Sequence, residues 1–251
     1  MGWGKWGLLL SLFALLACSS GAGGGSGSGT NAPPPTTPPA DPREARCPAG
    51  HIDDDFERED PKGDWDELGD NLTLDSKKAR SGAKSLFVDL ASSSSLTKAF
   101  KPPSETIEVS FALRIDYPPA KDHREFIFSI DFIEGNPAGP DRKMRLLSFA
   151  LAGSVLSFVD TDYVRARTQH TIELADVPVG TVSGWSAVRL DIALGDATQT
   201  IKVHLNDTLA IAQPLSKPLP EAVKPDISIG SVGVNNTNGI VRFDDVSACM
   251  K

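Results

Sequence analysis

Several residue types are scarce in this chain, and each scarcity narrows the possible functions. Lys and Arg total 25 against 33 Asp and Glu, which gives a formal charge of −8. A chain without a basic excess is not typical of a nucleic-acid partner, and its folded part has little to attract it to anionic lipid. Four scattered His residues provide no metal triad. Aromatic residues make up only 7% of the chain, which is little for a strong glycan binder.

Long hydrophobic runs are also missing, because the longest apolar segment covers only Leu8 to Ala17. Ten residues fall short of the ~20 that span a bilayer, and Lys5 in front of them is typical of a secretory signal. A buried core helix is the alternative. The tetrapeptide Leu15-Leu16-Ala17-Cys18 resembles the lipobox of a bacterial lipoprotein. That resemblance implies a signal peptide over 1–17, lipidation of Cys18, and a place at the outer membrane or cell surface, with membrane contact only through the lipid.

Residues 18–46 are rich in Gly and Ser and then in Pro, which predicts a disordered linker. The remaining residues, 47–251, have the size of one β-domain. Apolar residues alternate with polar ones from Ile107 to Asp116 and again from Phe126 to Phe132, which predicts strands with one buried face. Turn residues at Gly153 and Gly195 predict hairpins. Such a pattern favours a sandwich or a barrel.

Cysteine is scarce too: the chain has three, of which one is predicted to carry lipid and two remain. With Cys18 assigned to lipid, Cys47 and Cys249 form an even pair in an oxidising compartment. A disulfide needs Cα atoms within ~7 Å, so pairing would make the first strand (Ile52 to Phe56) and the last strand neighbours. Two free thiols are the alternative.

Four stretches together resemble the concanavalin A-like lectin/glucanase superfamily, which includes laminin-G-like domains. They are Asp53-Asp54-Asp55-Phe56-Glu57, Ser81-Gly82-Ala83-Lys84-Ser85-Leu86, Gly184-Trp185 with Val188-Arg189-Leu190, and Phe243-Asp244-Asp245-Val246. The resemblance implies an all-β, jelly-roll antiparallel β-sandwich over 47–251. It also implies one structural calcium ion, held by Glu57 with Asp244 or Asp245, since Ca²⁺ prefers oxygen ligands. Acids that are merely solvated or cap turns are the alternative.

Glucanases of that superfamily carry Glu-x-Asp-x-x-Glu on one strand. Here Ser129, Asp131 and Glu134 occupy the three positions, so a hydroxyl without an adjacent base replaces the nucleophile. Strand alternation also places Glu134 on the opposite face from Asp131 unless a bulge intervenes. We therefore expect no enzyme activity and no catalytic residue.

Polar residues on predicted strands and in polar loops offer a candidate ligand face. The candidates are Arg114, Asp116, Ser129, Asp131, Arg145 and Tyr163. For each of them, plain solvated surface or core is the alternative. The hypothesis places a ligand across the concave sheet, with hydrogen bonds from Arg114 and Asp131. The favoured function is a surface lipoprotein whose sandwich binds a glycan or cell-envelope polymer without catalysis. The alternatives are an adhesive or structural protein with a protein partner, and a divergent glycan hydrolase or lyase.

Overall fold

The computed structural model describes residues 45–134, 143–162, 168–180, 184–195, 198–215, 217–219, 223–232 and 238–251. All of them belong to the second of the chain's two units, Ala40–Lys251. The predicted signal peptide, Cys18 and nearly all of the linker lie outside the described residues. Within the described residues, no helix has the length and apolar character to cross a bilayer.

Fifteen strands make up the described part of the domain, joined by turns and loops. They are β1 (Gly50–Asp54), β2 (Glu67–Leu68), β3 (Leu72–Asp75), β4 (Ser85–Asp89), β5 (Ser94–Ala99), β6 (Thr106–Tyr117), β7 (Glu125–Glu134), β8 (Lys143–Ala152), β9 (Val155–Asp162), β10 (Thr168–Asp176), β11 (Trp185–Ala193), β12 (Thr200–Leu205), β13 (Thr208–Pro214), β14 (Pro225–Ser231) and β15 (Ile240–Met250). The alternating segments at 107–116 and 126–132 fall within β6 and β7. The predicted hairpins are β8–β9 and β11–β12.

The strands form two antiparallel sheets. Sheet A has eight strands in the order β13-β12-β11-β6-β15-β4-β3, with β1 also paired to β15. Sheet B has seven strands in the order β10-β9-β8-β7-β14-β5-β2. The all-β jelly-roll sandwich predicted from the sequence is confirmed.

The core lies between the inward faces of the two sheets. Phe111 of β6 stacks on Phe128 of β7 with ring centroids 5.3 Å apart, and Phe149 of β8 meets both rings within 5.8 Å. Alternate residues of a strand point to opposite faces, so these inward-facing rings show which other residues of the same strands face the core. Odd-numbered residues of β6 point inward, whereas in β7 from Phe128 onward the even-numbered residues do.

The first and last strands are neighbours, as the cysteine pattern predicts. Ile52 of β1 is the register partner of Ala248 in β15, and a disulfide joins Cys47 to Cys249 with 5.2 Å between their Cα atoms. The first strand ends two residues earlier than expected. The Asp54 carboxylate accepts a hydrogen bond from the Phe56 N–H at 2.8 Å, and Phe56 adopts a positive φ of 58°, so the chain turns there.

Candidate functional site

The outer face of sheet B is the side directed away from the core. Two neighbouring strands in the middle of this sheet, β7 and β14, place polar residues on that face. Since Phe128, Ile130 and Phe132 of β7 are buried in the core, Ser129 and Asp131 between them point outward. In β14 the inward residues are Ile227 and Ile229. Asp226 and Ser228 are therefore the outward ones.

Cross-strand register places these outward side chains in two rows. The first, which we call the serine row, consists of Thr97, Ser228, Ser129 and Ser148 on β5, β14, β7 and β8. In the neighbouring row, Asp226 of β14 is the direct register partner of Asp131 in β7. We call these two residues the aspartate pair. Side chains directly opposite on antiparallel strands have Cβ atoms about 4.5–5.5 Å apart, so the two carboxylates face each other.

Three of the four residues of the serine row are buried, and only two of its four hydroxyls have a hydrogen-bond partner among the residues described here. Ser228 and Thr97 share a hydrogen bond of 3.0 Å between their hydroxyl oxygens. Ser129 and Ser148 are 0% exposed, and the hydroxyl of each is buried without a hydrogen-bond partner. Most buried side-chain hydroxyls have a partner, and leaving one without any is destabilising by about 1–3 kcal/mol. Ser129 and Ser148 are direct register partners, so the two unpartnered hydroxyls are neighbours on β7 and β8.

In the aspartate pair, Asp226 lies where its ionised form is disfavoured. Both side chains are partly exposed, so solvent reaches them. Burial raises the pKa of Asp226, and the nearby carboxylates of Glu67 and Asp66 raise it further. Asp66 itself is compensated: although burial acts to raise its pKa, a hydrogen bond from the Ala99 N–H and the Lys98 ammonium lower it overall.

Two of the predicted ligand residues, Arg114 and Asp116, lie on sheet A instead. Arg114 and Arg242 are each 4% exposed, and their Nε groups donate to the two oxygens of Asp116 at 2.8 and 2.7 Å. Lys78 also donates to Asp116, and Arg242 reaches Asp75 at 2.7 Å, while Arg242 Nη1 is buried without a partner. Although burial acts to raise it, hydrogen bonds from the three cations lower the pKa of Asp116 to about 2. This cluster, here the arginine cluster, is mainly an internal ion network.

Arg145 and Tyr163 do not join the outer face of sheet B either. Arg145 shares its parity with Leu147 and Phe149, so it points toward the inside of the sandwich, where it forms two 2.7 Å hydrogen bonds to Asp160. A cavity of about 510 Å³ lies beside this pair, lined by Asp160, His170 and Gln213 among others. Tyr163 lies outside the described residues. The predicted ligand set is thus divided: Ser129 and Asp131 share the outer face of sheet B, and Arg114 and Asp116 share that of sheet A.

The glucanase-like positions can be placed through the pairing of β7 with β8. The register runs without a shift from Phe128 opposite Phe149 to Glu134 opposite Lys143. No bulge separates Asp131 from Glu134, so the two keep opposite parity, as alternation predicts. Ser129 and Asp131 share the outer face with Asp226, which the motif comparison did not include.

The acids predicted to hold calcium flank the loop from Arg80 to Lys84. Glu57 Oε1 accepts hydrogen bonds from the Ala83 and Lys84 N–H groups at 2.7 and 2.8 Å. From the other side, Asp244 Oδ2 accepts from the Arg80 and Ser81 N–H groups at 2.7 and 3.2 Å.

The second oxygen of Asp244, Oδ1, accepts from the Asp245 N–H at 2.9 Å, and Asp245 bonds the Ser81 hydroxyl. Among the described residues, no three His, Cys, Asp or Glu side chains are grouped to hold a metal ion. The acids therefore fit a loop-capping role in the arrangement seen. A calcium titration decides whether they also fit an ion.

Another groove, of about 770 Å³, crosses the outer face of sheet A near the disulfide. Its polar side chains largely pair with one another. Ser110 and Ser247 share a 2.9 Å hydrogen bond, and Lys251 donates to Glu108 at 2.7 Å. It lacks the unpartnered hydroxyls of the serine row.

Sequence reasoning missed Asp226, Ser228 and Ser148 as members of the site. The alternation Asp226-Ile227-Ser228-Ile229 marks both polar residues as outward facing, so a local signal exists. What the sequence does not show is that β14 pairs with β7, which precedes it by some 90 residues.

Comparison with known proteins supports the fold and nothing finer. No protein-family model matches the chain, and no curated protein matches it. Among solved structures, an endo-β-1,4-glucuronan lyase from the fungus Trichoderma reesei aligns with a TM-score of 0.57 and 16% identity, covering 81% of this chain and 95% of that one.

Two further solved structures also align, with lower TM-scores. A mutant of HCR/D gives a TM-score of 0.51 at 14% identity, covering 74% of this chain and 43% of that one. The botulinum neurotoxin serotype D binding domain gives 0.48 at 16%, covering 74% and 43%. The alignments with the lyase and with HCR/D, at 16% and 14% identity, show a shared β-sandwich fold.

Proposed function

We propose that this chain is an exported, lipid-anchored protein whose β-sandwich binds a glycan or another cell-envelope polymer across the outer face of sheet B, without cleaving it. The observation that carries the proposal is the pair of buried, unpartnered hydroxyls on Ser129 and Ser148 beside the partly exposed aspartate pair. Sugars present many hydroxyls, which bond well to carboxylates and serine hydroxyls. The fold, shared with a lyase acting on a polysaccharide, supports membership in the concanavalin A-like superfamily.

The anchoring part of the proposal rests on the sequence of residues 1–46. Three lipid chains on Cys18 would hold the protein firmly, because one chain alone gives only marginal binding. The linker would then present the domain away from the membrane. Incorporation of a labelled fatty acid into wild-type protein, and its loss in Cys18→Ser, is the expected result. Equal labelling of both proteins would contradict it.

The binding proposal is tested by a glycan array with the mature chain in detergent, followed by titration of each hit. We expect Ser148→Val to abolish binding, because it replaces the hydroxyl with a methyl group and adds a second methyl group in the serine row. Ser110→Ala on the outer face of sheet A is the matched control and should bind like wild type. Silence across neutral and acidic glycans, or equal binding by Ser148→Val, contradicts the proposal.

Glycan cleavage is the second candidate, and the aspartate pair is the observation that favours it. Retaining glycosidases hold two carboxyls about 5–5.5 Å apart, which is close to the spacing of directly opposed residues. Incubating each array hit with the protein and measuring new reducing ends distinguishes the two functions. Release that disappears in both Asp131→Asn and Asp226→Asn would replace binding by hydrolysis.

Calcium binding is a separate proposal that the superfamily resemblance supports. If Glu57 and Asp244 hold an ion together with loop carbonyl groups, Ca²⁺ will raise the melting temperature of the mature chain and a chelator will lower it. Glu57→Gln should remove that response. An identical melting temperature with Ca²⁺ and with chelator would leave the acids as loop caps only.

A further inference from the structure

β13 is an edge strand with exposed apolar side chains. It lies at one end of sheet A, and the pairing described for it is with β12 alone. Six of its seven residues are exposed, and the side chain of Leu209 is 51% exposed. The side of β13 directed away from β12, here called the open edge, is the kind of edge that serves as a template for pairing with another chain.

β13 also lacks the charges that protect the other edges. The described edge strands β1, β2, β3 and β10 carry Asp53, Glu67, Asp75 and Glu173 respectively, whereas no residue of β13 is charged. Charged side chains on an edge strand discourage the addition of a further strand. β13 therefore has no charge of its own that would oppose a second copy of the same strand.

The hydrogen bonds of the β12–β13 hairpin show which backbone groups point to the open edge. The Leu215 N–H donates to the Gln199 carbonyl at 2.9 Å. In an antiparallel pair, hydrogen-bonded positions alternate with positions whose N–H and C=O groups point away from the partner strand. Counting back from Leu215, Pro214 and Ala212 occupy positions of the second kind. Since Pro214 has no N–H, Ala212 is the residue that presents both a donor and an acceptor there.

The side chains of Leu209, Ala212 and Pro214 form an evenly spaced apolar row beside the open edge. Their register partners in β12 are every second residue from His204 to Thr200, because a bulge takes up the extra residue of β13. All three side chains are exposed and lie on the outer face of sheet A. Ala212 is the middle member, so a two-fold axis through it would set Leu209 against Pro214 twice and Ala212 against itself.

We infer that β13 is the contact between two copies of this chain, which pair antiparallel about a two-fold axis at Ala212. The two Ala212 residues exchange their N–H and C=O groups in two hydrogen bonds, and each exposed Leu209 packs against Pro214 of the second copy. The Lys202 side chains of the two copies lie three strand spacings apart, about 14 Å, which is beyond the Debye length of about 8 Å. A contact between two short strands is small, so the association is reversible.

The geometry of this dimer bears on the function proposed above without depending on it. Antiparallel pairing continues sheet A across both copies and leaves both copies of sheet B on one side of it. The two outer faces of sheet B then point in the same direction, and a polymer long enough to reach both would bind bivalently. Glycan binding by a single copy and pairing of two copies are measured separately, so either proposal can fail alone.

The test is oxidative cross-linking of the mature chain in detergent with one added cysteine. Opposed residues of a hydrogen-bonded antiparallel pair have Cα atoms about 5.5 Å apart, which is within the range of a disulfide. Ala212→Cys should form a covalent dimer at least about tenfold faster than Ala175→Cys, the matched control at an exposed position of edge strand β10. A non-reducing gel measures both rates. Equal rates, or no dimer from Ala212→Cys, overturn the inference.

Sedimentation equilibrium supplies a second measurement without a cross-link. The mass of the wild-type particle should rise toward two chains as the protein concentration increases. Ala212→Lys sets two like charges against each other at the two-fold axis, so it should remain a single chain at concentrations where wild type and Ala175→Lys associate. A wild type that stays a single chain at every concentration overturns the inference, and so does association of Ala212→Lys equal to that of wild type.

Discussion

The outer faces of the two sheets each carry a central aspartate, and the surroundings of these two aspartates shift their pKa values in opposite directions. On sheet A, the arginine cluster surrounds Asp116 with cations, and hydrogen bonds from Arg114, Lys78 and Arg242 hold its pKa at about 2. On sheet B, burial raises the pKa of Asp226, and the carboxylates of Glu67 and Asp66 raise it further. Both carboxylates lie on central strands, so position in the sheet does not explain the difference.

The contrast indicates what each face contributes. A carboxylate whose ionised form is stabilised in the folded protein adds to stability, whereas one whose ionised form is penalised subtracts from it. The hydroxyls follow this division only in part. Ser110 and Ser247 bond each other on sheet A, while Ser129 and Ser148 on sheet B have no partner. On sheet A, however, the hydroxyls of Thr106 and Ser186 and the Nη1 of Arg242 are also buried without a partner, and on sheet B Thr97 and Ser228 bond each other. The environment of the two central carboxylates is the reason why we propose the outer face of sheet B, and not that of sheet A, as the binding surface.

Asp116→Asn tests the sheet A side and should have the largest effect. It leaves Arg114 and Arg242 buried without their shared carboxylate, and removal of one partner from a buried ion pair is destabilising by about 3–5 kcal/mol. Urea unfolding at pH 7 measures the loss. Asp191→Asn, which breaks a more exposed pair with Arg189 on the same sheet, should lower the free energy of unfolding by less than about 1 kcal/mol.

The same variant makes a prediction about pH. The folded pKa of Asp116 lies below its ordinary value of 3.8, so its contribution is complete above that value and is lost as the pH falls from 3.8 toward about 2. The stability difference between wild type and Asp116→Asn should therefore shrink over that window. A difference that stays constant down to pH 2 would show that the arginine cluster does not depend on the charge of Asp116.

Asp226→Asn tests the sheet B side and should have the opposite sign. Because its folded pKa is raised, the folded protein binds the proton more tightly, and ionisation above pH 3.8 reduces stability. The variant should gain about 0.2–1 kcal/mol at neutral pH, the range for cross-strand charge pairs. That gain should disappear as the pH falls to 3.8. Thermal unfolding at pH 7 and pH 4 measures it, and a loss of stability at pH 7 would mean that Asp226 has a stabilising partner.

The sequence predicts the local pattern of this fold well and the assembly of its site only in part. Alternation identifies β6 and β7, and the cysteines identify the β1–β15 pairing, because each signal lies in a few residues. Alternation also says that Arg114 and Asp131 point outward. It does not say that they point outward from different sheets, since that depends on pairings between segments distant along the chain.

Arg145 shows a different kind of error, one that the sequence could have prevented. It flanks the predicted strand 146–151 and belongs to the candidate ligand set because of its charge, although it has the parity of Leu147, Phe149 and Leu151, which face the core. Its charge predicts contact with a ligand or with solvent, whereas Asp160 on the next strand supplies a buried partner. The direction of a side chain is predicted by its place in the strand alternation and by an oppositely charged residue on the neighbouring strand, and not by its residue type alone.

Removal of the Ser129 and Ser148 hydroxyls should have the smallest effect on stability. It is also the most direct test of the difference between the outer faces of the two sheets. Ser129→Ala combined with Ser148→Ala removes two buried hydroxyls that have no partner, so the free energy of unfolding should stay the same or rise slightly. Ser110→Ala removes a bond to Ser247 and should lower it by about 0.5–1.5 kcal/mol. Urea unfolding of the three proteins compares the two sheets directly. If the double variant loses as much as Ser110→Ala, the serine row is part of the structural framework, and the distinction between a stabilising face and a binding face fails.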